Sequence, residues 1–131
     1  MKGYNDELYK AFTEIGDLMS LLDENPFKIR AYYEAGRRIK EYFKPITRRA
    51  TDKRKLMEIP RVGSAIAEKT IQYLKTGKID ILEKLRRQIP KPVRDMLKIP
   101  HLGPHRVRDL YLNLNIKSAE DLLKAAKTGK I

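Results

Sequence analysis

Apolar residues recur along this chain at steps of three and four, the spacing that lines one face of a helix. Leu8, Phe12, Ile15, Leu18, Met19 and Leu22 form such a stripe and predict a first helix over residues 5–23. Asn25-Pro26 then offers an N-cap side chain, followed by a proline at the position where a helix does not need the N–H. Phe27, Ala31, Ala35 and Ile39 with Tyr42 carry the stripe of a second helix to about Phe43, and Lys44-Pro45 ends it. Residues 44–51 read as a basic loop or loose turn. No segment alternates apolar and polar residues for long, so strands are excluded and the fold class is all-α.

The pattern then repeats. Residues 56–74, LMEIPRVGSAIAEKTIQYL, align at an offset of 40 with residues 96–114, MLKIPHLGPHRVRDLYLNL. Ile59 matches Ile99, Pro60 matches Pro100, Val62 matches Leu102, and Gly63 matches Gly103. Each copy predicts a short helix, a tight hairpin and a longer amphipathic helix. A further short helix follows each, over 80–87 and over 119–127, the second opened by Ser118 and Asp121 as a capping box with Asp in place of Glu. The phrase Lys-Thr-Gly-Lys-Ile stands at 75–79 and again at 127–131, which suggests a chain that once continued or a fragment. Gln88-Ile89-Pro90-Lys91-Pro92 separates the copies. The chain therefore divides into a helical domain over 1–89, with the first helix-hairpin-helix at 52–76, and a second such unit over 90–131.

Charge narrows the choice of partner. The 29 Lys and Arg outnumber the 17 Asp and Glu, a net charge of +12. Residues 1–24 hold two lysines against six acids, whereas residues 25–131 hold 27 bases against 11 acids. Arg48-Arg49, Lys53-Arg54-Lys55 and Arg86-Arg87 are not neutralised by their neighbours in sequence. A basic body of this kind attracts polyanions, nucleic acid first among them. The alternatives, solvated lysine for solubility or adaptation to heat, predict interspersed signs. There is no cysteine, which excludes disulfides and cysteine-ligated zinc and fits a reducing compartment. With no apolar run of membrane length and no signal-like N-terminus, a cytoplasmic monomer is expected.

The hairpin has a physical route to DNA. Proline fixes one backbone angle of the turn and glycine permits a positive one, so a few residues reverse the chain. Gly63 and Gly103 also let a phosphate approach the main chain, and the next helix starts there with free N–H groups. Such a cradle reads charge and shape rather than base sequence. The contacts would fall on Arg61, Gly63 and Ser64 and on His101, Gly103, His105 and Arg106, with Arg30 of the second helix as a further candidate. His101 and His105 are separated by Gly103-Pro104 and do not share a helix face, so a metal site there is not expected. The tyrosines at 32, 33, 42, 73 and 111 have the spacing of core residues with hydroxyls at the surface, although stacking on bases is open to them.

The segment Asn25-Pro-Phe-Lys-Ile-Arg-Ala-Tyr32, the hairpin Ile59-Pro-Arg-Val-Gly63 with Ala67-Glu68-Lys69, and the hairpin Ile99-Pro-His-Leu-Gly103-Pro104 resemble the N-terminal region of X-family DNA polymerases. The resemblance covers nearly the whole chain. It implies a compact four-helix domain like that family's deoxyribose-phosphate lyase domain, followed by a second helix-hairpin-helix. It implies, too, that each hairpin holds a monovalent cation, potassium or sodium, on main-chain carbonyls. Those would be Met57, Ile59 and Val62 in one copy and Leu97, Ile99 and Leu102 in the other. No other cofactor is required.

By the same resemblance, Lys69 is the amine that forms a Schiff base with an abasic sugar, beside Glu68, with Lys28 and Tyr32 in the pocket. The departures are specific. Arg61 and His101 stand where the family has glycine. Phe27 replaces a histidine of animal relatives, and Met57, Ala65 and Ile81 replace lysines. No polymerase palm follows, so nucleotide transfer by this chain is not expected. Three readings stay open: a DNA-binding module for gapped, nicked or abasic DNA, a lyase acting through Lys69, and an adaptor whose acidic first helix recruits a repair protein.

Overall fold

A computed structural model describes residues 3–129 of the protein, so Lys130 and Ile131 of the closing repeat phrase lie outside the described residues. Among the described residues there are eight helices and no strand. The first helix, α1 (Asn5–Leu21), buries Leu8, Phe12, Ile15, Leu18 and Met19 of the expected stripe, whereas Leu22, its last member, lies beyond the helix and is exposed. The helix ends two residues before the expected Asp23, in a turn where Asp23 takes a left-handed conformation (φ 55°). The second helix, α2 (Pro26–Glu41), starts on the Asn25 side chain, which accepts the Phe27 N–H at 2.8 Å.

α1 and α2 form the closest pair in the fold. A side chain at Gly16 would meet the Tyr33 ring within 2.6 Å, and one at Gly36 would meet Phe12 within 3.3 Å. Their bare Cα atoms therefore set how near the two helices come. At this seam the Tyr33 hydroxyl donates to Asp17 at 2.6 Å. Burial pushes the Asp17 carboxyl up, with the Tyr33 hydrogen bond opposing that shift. Burial raises the Tyr33 phenol as well.

The remaining helices are α3 (Lys53–Leu56), α4 (Ser64–Thr76), α5 (Asp80–Gln88), α6 (Lys91–Met96), α7 (Pro104–Asn113) and α8 (Ala119–Lys127). Short helices α3 and α6 lie almost wholly ahead of the aligned repeat, so residues 57–63 and 97–103 are turns. Asp52 caps α3 by accepting from Arg54 and Lys55. Ser118 caps α8 by accepting from Asp121, but the return bond from Asp121 reaches Lys117, one residue before the cap.

α1 is the hub. Besides α2 it packs on α5 and α7. Arg86 of α5 grips Glu14 of α1 with two hydrogen bonds, at 2.6 and 2.7 Å. The break between α5 and α6 falls at residues 89–90, inside the sequence boundary, while the buried cluster runs on through Ile89, Val93, Met96 and Val107.

Candidate nucleic-acid interface

The offset of 40 holds at the level of single hydrogen bonds. Ile59 N–H donates to Leu56 O and Val62 N–H to Ile59 O, each at 3.1 Å. Ile99 N–H donates to Met96 O and Leu102 N–H to Ile99 O, again each at 3.1 Å. The first turn of the following helix is closed by Ala67 N–H on Gly63 O (2.9 Å) and by Val107 N–H on Gly103 O (3.1 Å). Neither Met57 nor Val62, nor their counterparts Leu97 and Leu102, accepts a main-chain hydrogen bond in these turns. The carbonyls of Ile59 and Ile99 each already accept one bond.

The positive backbone angle is not where glycine was expected to put it. Gly63 (φ −89°, ψ −173°) and Gly103 (φ −77°, ψ 170°) are extended, a conformation any residue adopts. Arg61 (φ 70°) and His101 (φ 67°) take the left-handed step instead, at the two places where the resembled family has glycine. The turn demands that angle there whatever the side chain, at a cost of about 1–2 kcal/mol for a non-glycine residue.

What, then, do the two glycines do? A side chain at either would meet nothing of the protein within 4 Å. Each is the N-cap of its helix without a side-chain cap, and neither helix has an acid in its first turn. By contrast α2, α3 and α8 are capped by Asn25, Asp52 and Ser118. The first N–H groups of α4, and those of α7 after Pro104, which has none, therefore lack a side-chain acceptor at the positive end of the helix dipole. The space over each glycine is open for an anion.

The candidate side chains are distributed unevenly. Ser64, His101, His105, Arg106, Lys28 and Arg30 are exposed. Arg30 and His105 share a cleft of about 440 Å³ between the α1–α2 turn and the start of α7, with Asp23 and Glu24 on its wall. Arg61 leans on Glu34 of α2 at 3.4 Å. Tyr32 sits in the core, its ring 6.1 Å from that of Phe12, so it is packing rather than surface. Glu68 is tied to Lys53 at 2.7 Å, and that hydrogen bond, with the lysine's charge, holds its carboxyl below the ordinary value. Lys69 is half-buried on α4. Lys28 and Lys69 belong to separate helix pairs, α1–α2 and α3–α4. Glu34 was not singled out by sequence, and Lys53 was read only as part of an unneutralised basic cluster, because partners 27 and 15 residues away leave no local signal. Among the described residues no cluster of His, Asp or Glu could hold a metal ion, and no helix is long and apolar enough to cross a membrane.

The helix-hairpin-helix domain family matches residues 3–79, more than half of the chain. The chain belongs to that family. The matched stretch of this helix-hairpin-helix protein ends at Ile79, so it takes in the first hairpin and leaves the second outside. The chain is also similar to the DNA polymerase/3'-5' exonuclease PolX of Bacillus subtilis (strain 168), with 25% identity over 128 residues. That likeness covers 98% of this chain and corresponds to the N-terminal part of the relative, 22% of its length. Both findings support DNA binding by the helix-hairpin-helix protein.

Proposed function

We propose that the protein is a sequence-independent DNA-binding module of DNA repair, holding the sugar-phosphate backbone through its two hairpins. The observation that carries this reading is the pair of uncapped helix starts at Gly63 and Gly103, reached by the same turn 40 residues apart. A phosphate seated there accepts from main-chain N–H groups, with Ser64, Arg106 and His105 beside it. The carbonyls of Met57, Ile59 and Val62, and of Leu97, Ile99 and Leu102, suit a potassium or sodium ion that bridges to the next phosphate. Two separated grips on a monomer favour gapped, nicked or abasic DNA over an uninterrupted duplex. Affinity measured against salt tests this. Contacts to four phosphates give a logarithmic slope of about −3.6 or steeper. Affinity insensitive to salt, or confined to one base sequence, overturns it.

A second reading is supported by Lys69. Glu68 is already taken by Lys53, and among the described residues Lys69 forms no ion pair. As a lyase nucleophile it adds to the C1′ aldehyde of an abasic sugar with loss of water. Loss of a C2′ proton from the resulting iminium then expels the 3′ phosphate. Borohydride capture of a covalent adduct on incised abasic DNA, lost in Lys69→Ala, is the expected result. No adduct with wild-type protein in excess leaves a binding module and no enzyme.

A further inference from the structure

The two hairpins carry different side chains at the same left-handed step, Arg61 in one and His101 in the other. Arg61 Nε lies 3.4 Å from a Glu34 carboxylate oxygen on α2, whereas among the described residues His101 has no ion pair. Glu34 has nearer choices in sequence. Arg30, Arg37 and Arg38 stand three or four positions from it on α2, the spacing of pairs within a helix, yet the structure pairs it with the hairpin.

The hold is loose. At 3.4 Å the pair is longer than the roughly 2.7–2.9 Å of a charge-assisted hydrogen bond, and the Arg61 side chain is 63% exposed. The space over Gly63 has no protein atom within 4 Å of an added side-chain carbon, so Arg61 is turned aside from the place offered to a phosphate two residues on. A carboxylate and a phosphate are alternative partners of a guanidinium, which takes either through the same N–H donors. The two anions repel at short range, so an Arg61 engaged by DNA gives up Glu34.

We propose that Glu34 competes with DNA for Arg61: it holds the guanidinium aside in the free protein, and a phosphate seated at Gly63 must draw the side chain off α2. Resting on the DNA-binding reading, this makes Glu34, which itself touches no DNA, the residue that sets how tightly the first hairpin closes on the backbone.

Glu34→Gln keeps the shape of the side chain and removes its charge. It should bind a nicked duplex about two- to fivefold more tightly than wild type at low salt, the range of one exposed ion pair. The gain should fade as added salt screens the pair. Arg61→Ala should make the logarithmic salt slope shallower by about 0.9, one phosphate contact. In that Arg61→Ala background, Glu34→Gln should change nothing. Because the pair is exposed, circular dichroism of all three variants should match wild type. Weaker or unchanged binding by Glu34→Gln overturns the competition, as does an equal gain with and without Arg61, which marks a general effect of charge. Failure of the wild type to bind the nicked duplex overturns the hairpin reading and the competition together, whereas wild-type binding with no gain in Glu34→Gln overturns the competition alone.

Discussion

Ile59 and Ile99 hold the same place in the repeat, yet Ile59 is 2% exposed and Ile99 only half-buried. The difference extends along both copies. Behind the first hairpin, α4 runs for 13 residues and buries Ile66, Ala67, Thr70 and Leu74. Behind the second, α7 runs for 10 and buries Val107 alone. Arg61 ties the first turn to α2, whereas the second unit reaches the α1–α2 turn through a looser pair, Arg108 to Asp23 at 3.7 Å. Identical turns can thus stand on unequal foundations. Main-chain bonds fix the surface shown to a phosphate, and the side chains behind it fix how readily the unit opens.

Truncating the two isoleucines tests that contrast most severely. Ile59→Ala should destabilise the protein by about 3 kcal/mol, and Ile99→Ala by about half as much, in urea denaturation. Equal losses would mean that the second hairpin is as firmly seated as the first.

The glycines separate binding from folding. Gly63→Val and Gly103→Val put a branched side chain into space that the protein leaves empty, at angles valine accepts. Each should weaken DNA binding about tenfold, the loss of one charge-assisted hydrogen bond, with helical content retained. If both variants fold and bind normally, the hairpins are only connectors.

A smaller gain is expected where the left-handed residues sit. His101→Gly removes the positive-φ penalty and should stabilise by about 0.5–1 kcal/mol, net of the entropy glycine adds to the unfolded chain. Arg61→Gly should gain less, because it gives up the contact with Glu34, an exposed pair worth under about 1 kcal/mol. Thermal melts of the two variants order them.

The smallest effect concerns acid. The Lys91 hydrogen bond and charge, with Lys98 beside them, hold the Asp95 carboxyl below its ordinary 3.8. The paired form is the carboxylate, so its contribution is in place above about pH 4 and is lost as pH falls through the lowered value. A carboxyl titration by nuclear magnetic resonance should find a midpoint under 3.8 that Lys91→Ala moves back up. Stability near neutral pH should barely change.

Helix positions and the doubled hairpin were legible in the sequence because both depend on local spacing. The stripe from Leu8 to Met19, the Asn25 cap and the offset of 40 all reappear in the structure. The backbone angles were read one step off. Proline and glycine bracket the turn, yet its geometry puts the positive φ on the residue between them, and Arg61 and His101 comply at a cost. Tyr32 could be drawn as a contact because a tyrosine's place on a helix does not say which way its ring is packed. Phe43 looked like the end of an apolar stripe. Pairing of Asn5 with residues some 40 positions away holds it outside, and short-range periodicity carries no trace of such a bond.

α1 as hub has a consequence in time. Leu21 ends that helix and Pro104 begins α7, which covers one of its sides. A ribosome adding about 5–20 residues per second needs roughly 4–17 s to cross that interval. During it α1 can pair quickly with α2, its neighbour in sequence, while the flank destined for α7 stands wet. The first helices therefore pair well before α7 can return to cover the open flank of α1.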